Sequence, residues 1–406
     1  MKKSLYLGLA ALGVYAFLAY SGFNGAGMPM GDLSLAYQQW VDSGFAFGLT
    51  TDWVYPYLAM LPIALANLVS PGALSWPWLI GSALVTLLVV LYVTIKDKSD
   101  RAAMAMAYYL GATLMLGPVA ISRLDTLSVA LAIIGVFFLA RSSELTAGVW
   151  LSIATWLKVW PIALLMAAFA ASKKRLTFVT FVLGVNVVIL SIGFIVGADS
   201  SIFSFLTSQG GRGIQIEAPV AGIWLWPAVL GSAGTGVAYS AGMMTFEVFG
   251  PGTEVVANLM SLVQLGALAI TLALGLVARR KGARVQDVIF WIGFTGILDL
   301  IVFNKVGSPQ YMTWLVVPIV YGLLAGVRRI NVVAVSLLFT SGLTWLIYPV
   351  FYNEILQSEV FGTSLLTLRN IVLLVGLVYA NLRLQELGKK RPDDLRLDQE
   401  PVVAKL

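Results

Sequence analysis

Asp32 is the carboxylate best placed in this sequence to do chemistry. It follows Gly31 in the interval Phe23 to Pro56, FNGAGMPMGDLSLAYQQWVDSGFAFGLTTDWVYP, the only long polar stretch before residue 95. Behind it, Leu33, Ala36, Tyr37, Trp40 and Val41 recur at i, i+3, i+4, i+7 and i+8, which predicts a short helix with one apolar face. Ser34, Gln38, Gln39 and Asp42 take the opposite face. About nine residues cannot span a bilayer, which needs ~20. The helix is therefore expected to lie in the membrane interface, with its aromatics at headgroup depth. Asp32 then stands where lipid meets water, within reach of a lipid-borne headgroup. An Asp at a helix start is also a favoured N-cap. The sequence contains no histidine and no cysteine. The commonest general base, the commonest metal ligand and all thiol chemistry are thereby removed. Proton abstraction falls to a carboxylate, with Lys or Tyr behind it.

The second set of chemical residues is cationic. Of 26 Lys and Arg, all but Arg123, Lys158, Arg212, Lys305 and Arg369 fall in segments that the positive-inside pattern places in the cytoplasm. Charges in or near membrane spans are costly, so they pair or serve a pathway. A bound anion is one reason for these five, and pairing with acids on the same side is the other. Arg123 and Asp125 could form a local ion pair. Lys158, at the break Lys158-Val159-Trp160-Pro161, could snorkel to water. Arg212 sits among Gly210, Gly211 and Gly213, and Arg369 lies about two turns into the last helix. Ser308-Pro309 suits a helix start. Trp53 and Tyr55 suit either interfacial anchors or sugar platforms.

The elements that must hold these residues are membrane helices. The 406 residues are 59% hydrophobic and only 11% charged, against about 25% charged in soluble domains. The net charge of +6 sits in short loops between spans, which is topology rather than nucleic-acid binding. The expected fold is all-α and polytopic, with interfacial helices in the first outer loop. Ser4–Ser21 reads as an uncleaved first span rather than a signal peptide. Tyr55–Ser70, broken by Pro56 and Pro62, reads as interfacial or re-entrant. Full crossings follow at Leu74–Ile95, Arg101–Gly117, Leu124–Ala140, Leu176–Val196, Val255–Ala278, Val288–Phe303, Met312–Val327, Val332–Val350 and Thr363–Leu382. Leu145–Ala171 has basic residues at both ends, Arg141 and Lys173-Lys174-Arg175, so both ends are expected inside. That demands a hairpin with Lys158 near its tip. The sum is about twelve helices in a single domain over 1–406, with both termini cytoplasmic.

The order of these clusters resembles the integral-membrane glycosyltransferases with the C-type fold. Within them it resembles the polyprenol-phosphate-mannose-dependent α-mannosyltransferases of actinobacteria, which include the phosphatidylinositol-mannoside and lipoarabinomannan-extending enzymes. The matches are Gly31-Asp32 with Tyr37, Trp53-Val54-Tyr55-Pro56, Arg123 with Asp125, Lys158 with Pro161, and Ser308-Pro309-Gln310-Tyr311 with Trp314. The resemblance implies a plasma-membrane enzyme with its active site facing outside. It would move mannose from a polyprenyl phosphate to a hydroxyl of a glycolipid or lipoglycan. Asp32 would be the general base, and Arg123, Lys158, Arg212, Lys305 and Arg369 the candidates for holding the donor phosphate. Tyr37, Trp53, Tyr55, Asp125, Ser308, Gln310 and Tyr311 would shape the substrate site. One carboxylate acting by direct displacement implies inversion at the anomeric carbon. No cofactor and no metal are expected, since the outer carboxylates lack ligand spacing. Two alternatives stand beside this reading: a polyprenyl-phosphate-arabinose-dependent arabinofuranosyltransferase, and, from another class, a secondary transporter or lipid flippase. Neither acceptor nor linkage is legible.

Overall fold

The computed structural model describes residues 2–389 except 26 and 209. The charged tail over 390–406 lies outside the described residues. Helix α1 (Lys2–Asn24) leads to a π-helical turn (Leu33–Tyr37), α2 (Gln38–Asp42), a 3-10 turn (Tyr57–Ala59) and α3 (Met60–Val69). Next come α4 (Ser75–Lys96), α5 (Asp100–Leu116), α6 (Asp125–Ala140), α7 (Glu144–Leu157), α8 (Ile162–Ala171) and α9 (Arg175–Ile195). The long polar region holds β1 (Ile214–Gln215), α10 (Gly222–Val229), β2 (Gly236–Ser240) and β3 (Thr245–Phe249). Helices α11 (Thr253–Arg280), α12 (Val285–Val302), α13 (Met312–Ala325), α14 (Asn331–Trp345), α15 (Tyr352–Leu356) and α16 (Val360–Lys389) complete the described chain.

The protein is all-α and polytopic, as expected. Among the described residues, seven helices are long and apolar enough to cross a membrane: α1, α4, α9, α11, α12, α14 with its continuation to Val350, and α16. The segment Leu145–Ala171 is indeed a hairpin. At about 1.5 Å per residue, α7 and α8 run roughly 21 and 15 Å, short of the ~30 Å hydrocarbon core. The chain turns at Lys158, whose backbone is extended (φ −159°, ψ 135°). Pro161 then opens α8, and the residue before a proline disfavours helix, so α7 cannot run through. α7 packs along α6, and α8 along α12.

The turns between helices collect at two ends. At one end the basic residues tie loops to helix termini: Arg141 pairs with Asp97 at 2.8 Å, Arg279 Nε donates to Ala171 C=O at 3.3 Å, and Arg284 donates to the carbonyls of Ala325 and Gly326. Lys3 pairs with Asp100 at the same end. At the other end meet the segments 27–59, 117–124, the Lys158 turn, 196–208, 210–252, 303–311 and 346–359. Ser122 Oγ donates to Pro29 C=O at 3.1 Å, Trp53 N–H to Ser204 Oγ at 2.8 Å, and Gln215 N–H to Lys305 C=O at 2.9 Å. Gly117 allows the close approach there. Its φ is +80°, and a Cβ would lie 2.6 Å from the Trp345 ring.

Two features depart from the sequence reading. The region after α9 carries a small antiparallel sheet, order β1-β3-β2, with Ile214 opposite Val248 and Tyr239 opposite Phe246. Ile214, Ile216, Val248, Trp224 and Leu225 form a small core beneath it. The helix after Asp32 is also not a regular α-helix, because its first turn is π-wound. The expected apolar face is nonetheless the buried one, with Leu33, Ala36, Tyr37 and Val41 inside.

Candidate active site

Asp32 does not cap its helix: its side chain makes no capping hydrogen bond. The carboxylate instead forms an ion pair with Arg123, which reaches it from the turn between α5 and α6. The Asp32 side chain is 45% exposed and the Arg123 side chain only 8%. The carboxylate thus keeps one side open while a buried guanidinium fixes the other. Tyr37 anchors the pair from below. Its hydroxyl accepts from Leu124 N–H at 2.9 Å, tying the Asp32 helix to the residue after Arg123. Tyr37 also stacks on Trp40 and meets Trp78 edge-on, so the helix rests on aromatics as its pattern implied.

Asp32 stands between two clefts. One, of about 480 Å³, is walled by Trp53, Tyr55, Arg123, Arg212, Ser308 and Gln310, all expected, and also by Asp52, Gln215, Glu217, Tyr348 and Tyr352. The other, of about 570 Å³, runs along the polar face Ser34, Gln38, Gln39 and Asp42, with Tyr239 opposite. Asp32, Ala36 and Met244 border both. Met244 belongs to the turn between β2 and β3, so the sheet missing from the sequence reading supplies part of the wall. Trp53 Nε1, Arg123 Nε and Arg212 Nε are buried N–H groups with no hydrogen-bond partner among the described residues, and all three residues line the 480 Å³ cleft. Each such orphan costs about 1–3 kcal/mol, which a ligand rich in acceptor oxygens would offset.

The five expected cations do not converge on one point. Arg123 and Arg212 reach the cleft wall; the other three are engaged behind it. Lys158 is buried and donates to Asp125 Oδ2 at 2.6 Å, while Trp314 Nε1 donates to Asp125 Oδ1 at 2.5 Å. The rings of Tyr55 and Tyr311 stand 5.3 and 5.5 Å from its ammonium. Lys158 therefore does not snorkel, and Asp125 pairs with it rather than with Arg123. Tyr311 stacks on Trp314 and does not line either cleft. Lys305 Nζ donates to Gly210 C=O at 2.9 Å. Burial lowers its affinity for a proton, Glu247 works against that, and Arg212 adds to it. Arg369 donates to the backbone carbonyl of Glu217 and to Asn370 Oδ1.

Glu217 is the site residue that the sequence does not single out from the other acids expected on the outer side. It is 6% exposed, in the turn after β1. Burial raises its carboxyl from the ordinary 4.5 to about 7, against the opposing pull of Arg369 and Arg123. Tyr348 and Tyr352, from the segment where Pro349 interrupts α14's continuation, also escaped notice; nothing in their spacing separates them from ordinary interfacial aromatics. Among the described residues, no group of three or more acidic side chains is arranged to hold a metal ion.

No curated protein matches the sequence. The model of glycosyltransferase family 87 matches residues 53–298. That stretch takes in Trp53, Tyr55, Arg123, Lys158, Arg212 and Glu217, begins after Asp32 and ends before Lys305. It exceeds half of the chain, and with it the transporter alternative falls away: this multi-pass membrane protein belongs to glycosyltransferase family 87.

Proposed function

We propose that the enzyme transfers a sugar from a polyprenyl phosphate to a hydroxyl of a glycolipid or lipoglycan, on the outer face of the plasma membrane. The observation that carries this reading is the set of unpartnered N–H groups on Arg123, Arg212 and Trp53 around the cleft that Asp32 borders. A phosphate-linked sugar is rich in acceptor oxygens and negatively charged, which suits two guanidinium groups and an indole. Arg offers its donors in a fork that fits phosphate oxygens.

The chemistry follows from the geometry. Asp32 takes the proton of the acceptor hydroxyl through its open side, and the acceptor oxygen attacks the anomeric carbon. The carbon–oxygen bond to phosphate breaks, and the charge growing on the phosphate is met by Arg123 and Arg212. A single displacement of this kind inverts the anomeric centre. Lys158, Lys305 and Arg369 act one layer back: they hold Asp125, the Gly210 turn and the Glu217 turn in place. Mannose is the sugar that the motif resemblance favours. The gathering of basic residues at one end of the bundle supports an orientation with that end in the cytoplasm and Asp32 outside.

The test is direct. Purified enzyme is incubated with radiolabelled polyprenyl-phosphate mannose, and separately with polyprenyl-phosphate arabinose, plus extracted envelope glycolipids. Mannose in the lipid fraction supports the proposal. Transfer from the arabinose donor alone replaces the sugar, and transfer from a nucleotide sugar alone overturns the donor class.

A further inference from the structure

Glu217 carries more than its place in the wall. Its side chain is nine-tenths buried yet lines the cleft. Arg369 binds its backbone carbonyl, not its carboxylate. Among the described residues, no Lys or Arg lies within ion-pair distance of that carboxylate, and no hydrogen bond to it is formed. The cations that act on it from further off are Arg369 on α16 and Arg123 before α6. Tyr348 lies beside Arg123, and Tyr352 on α15 faces Glu217, Arg123 and Arg369 together. Arg212 lines the same cleft. On the neighbouring strand Glu247 is turned away, accepting from Gly213 N–H at 3.1 Å. An ionised carboxylate here would oppose an incoming phosphate on the very arginines the phosphate needs. A neutral carboxyl would do the reverse and add a donor.

We propose that Glu217 is a donor-phosphate ligand that works in its neutral form, giving its O–H to a non-bridging phosphate oxygen beside Arg123 and Arg212, so that binding the donor takes up a proton. The inference rests on the polyprenyl-phosphate reading of this cleft. Balance is simple: an ionised Glu217 gains one proton from solvent when the phosphodiester binds, and no covalent bond changes. Burial already raises the carboxyl to about 7, so near neutrality the proton is available at little cost. The phosphodiester of a glycosyl polyprenyl phosphate keeps a single negative charge between pH 6 and 9, so any pH dependence belongs to the protein.

The experiment is calorimetric titration of the intact enzyme in detergent with mannosyl citronellyl phosphate, a short-chain phosphodiester probe. At pH 7.5 it is run in two buffers of different ionisation enthalpy, and the affinity is followed from pH 6 to 8.5. The expected result is uptake of a fraction of a proton, with affinity falling toward tenfold per pH unit above about 7. Glu217→Gln keeps an N–H donor but cannot titrate. It should bind the probe with little pH dependence and no proton uptake. Because the uptake is measured on the unaltered protein, a poorly folded variant does not decide the matter. Probe binding with no proton uptake in the unaltered enzyme overturns the role of Glu217 and leaves the donor reading standing. No binding at any pH removes the donor reading and this inference with it.

Discussion

The carboxylate of Asp32 and the guanidinium of Arg123 form an ion pair across the mouth of the cleft, one partner nearly half exposed and the other buried. The pair joins the first polar loop to the turn between α5 and α6 and leaves one face of the carboxylate free. Asn in place of Asp32 can still accept from Arg123 but cannot take a proton from a sugar hydroxyl at neutral pH. Asp32→Asn is expected to keep its thermal stability in detergent and to lose at least ~100-fold in turnover, the low end for general-base catalysis. Since no capping bond is lost, destabilisation of the helix is not part of the expectation. Near-native transfer by a folded Asp32→Asn enzyme would move the base to Asp52, which lines the same cleft.

Arg212 tests the phosphate contact without disturbing a known partner. Arg212→Met should raise the donor KM or lower kcat/KM for the donor by about tenfold to a hundredfold, the ~1.5–3 kcal/mol of a hydrogen bond to a charged group. Steady-state kinetics with varied donor at saturating acceptor reads this. Unchanged donor kinetics would take Arg212 out of the site.

Lys158 and Asp125 are buried partners, so each should matter mainly for stability. Breaking a buried pair from one side strands a charge and costs roughly 3–5 kcal/mol. Lys158→Met is therefore expected to lower the melting temperature strongly, and Lys158→Met combined with Asp125→Asn to recover part of the loss. A double-mutant cycle measures the coupling. Additive losses would mean that the 2.6 Å contact contributes little.

Glu217 should give stability a definite pH slope. Its folded-state value is about 7 against an ordinary 4.5. Between those limits the native protein holds a proton that the unfolded chain has released. Stability from this group is thus greatest below the lower value, falls as pH rises to about 7, and changes no further above it. Relative to the unaltered protein, Glu217→Gln should gain melting temperature progressively over that window. A difference that stays constant from pH 4.5 to 8 would show an ordinary carboxyl.

The orientation can be read on the Cys-free sequence with single cysteines and an impermeant thiol reagent. Lys174→Cys should resist labelling from outside intact cells, and Gly211→Cys should be labelled. The reverse pattern would place Asp32 and its clefts in the cytoplasm.

The sequence by itself determined the membrane character, the order of the apolar helices, the short hairpin and the buried face of the Asp32 helix, though α5, α6 and α13, expected as full crossings, are shorter than the seven helices long enough to span among the described residues. Each of these is a local matter. Span length follows from bilayer thickness, the hairpin from basic residues at both ends with Pro161 between, and the buried face from a period near 3.6. The sequence also singled out the cations, because charge is rare where helices are apolar. It could not say which acid each cation meets. Arg123 and Asp125 are two residues apart, yet the turn before α6 sends one to Asp32 and the other to Lys158 and Trp314. Pairings of that kind depend on how the turns at one end of the bundle converge, and no periodicity encodes it. Glu217 shows the same limit. Its type and position look like those of any loop acid until the backbone around it closes. A Cβ on Gly307 would lie 2.4 Å from the Glu217 carbonyl carbon, and Arg369 holds that same carbonyl's oxygen. Those two contacts fix the backbone of Glu217 at the cleft wall, where its side chain is buried; only tertiary structure could do so, because desolvation is set by what surrounds a group rather than by its neighbours in sequence.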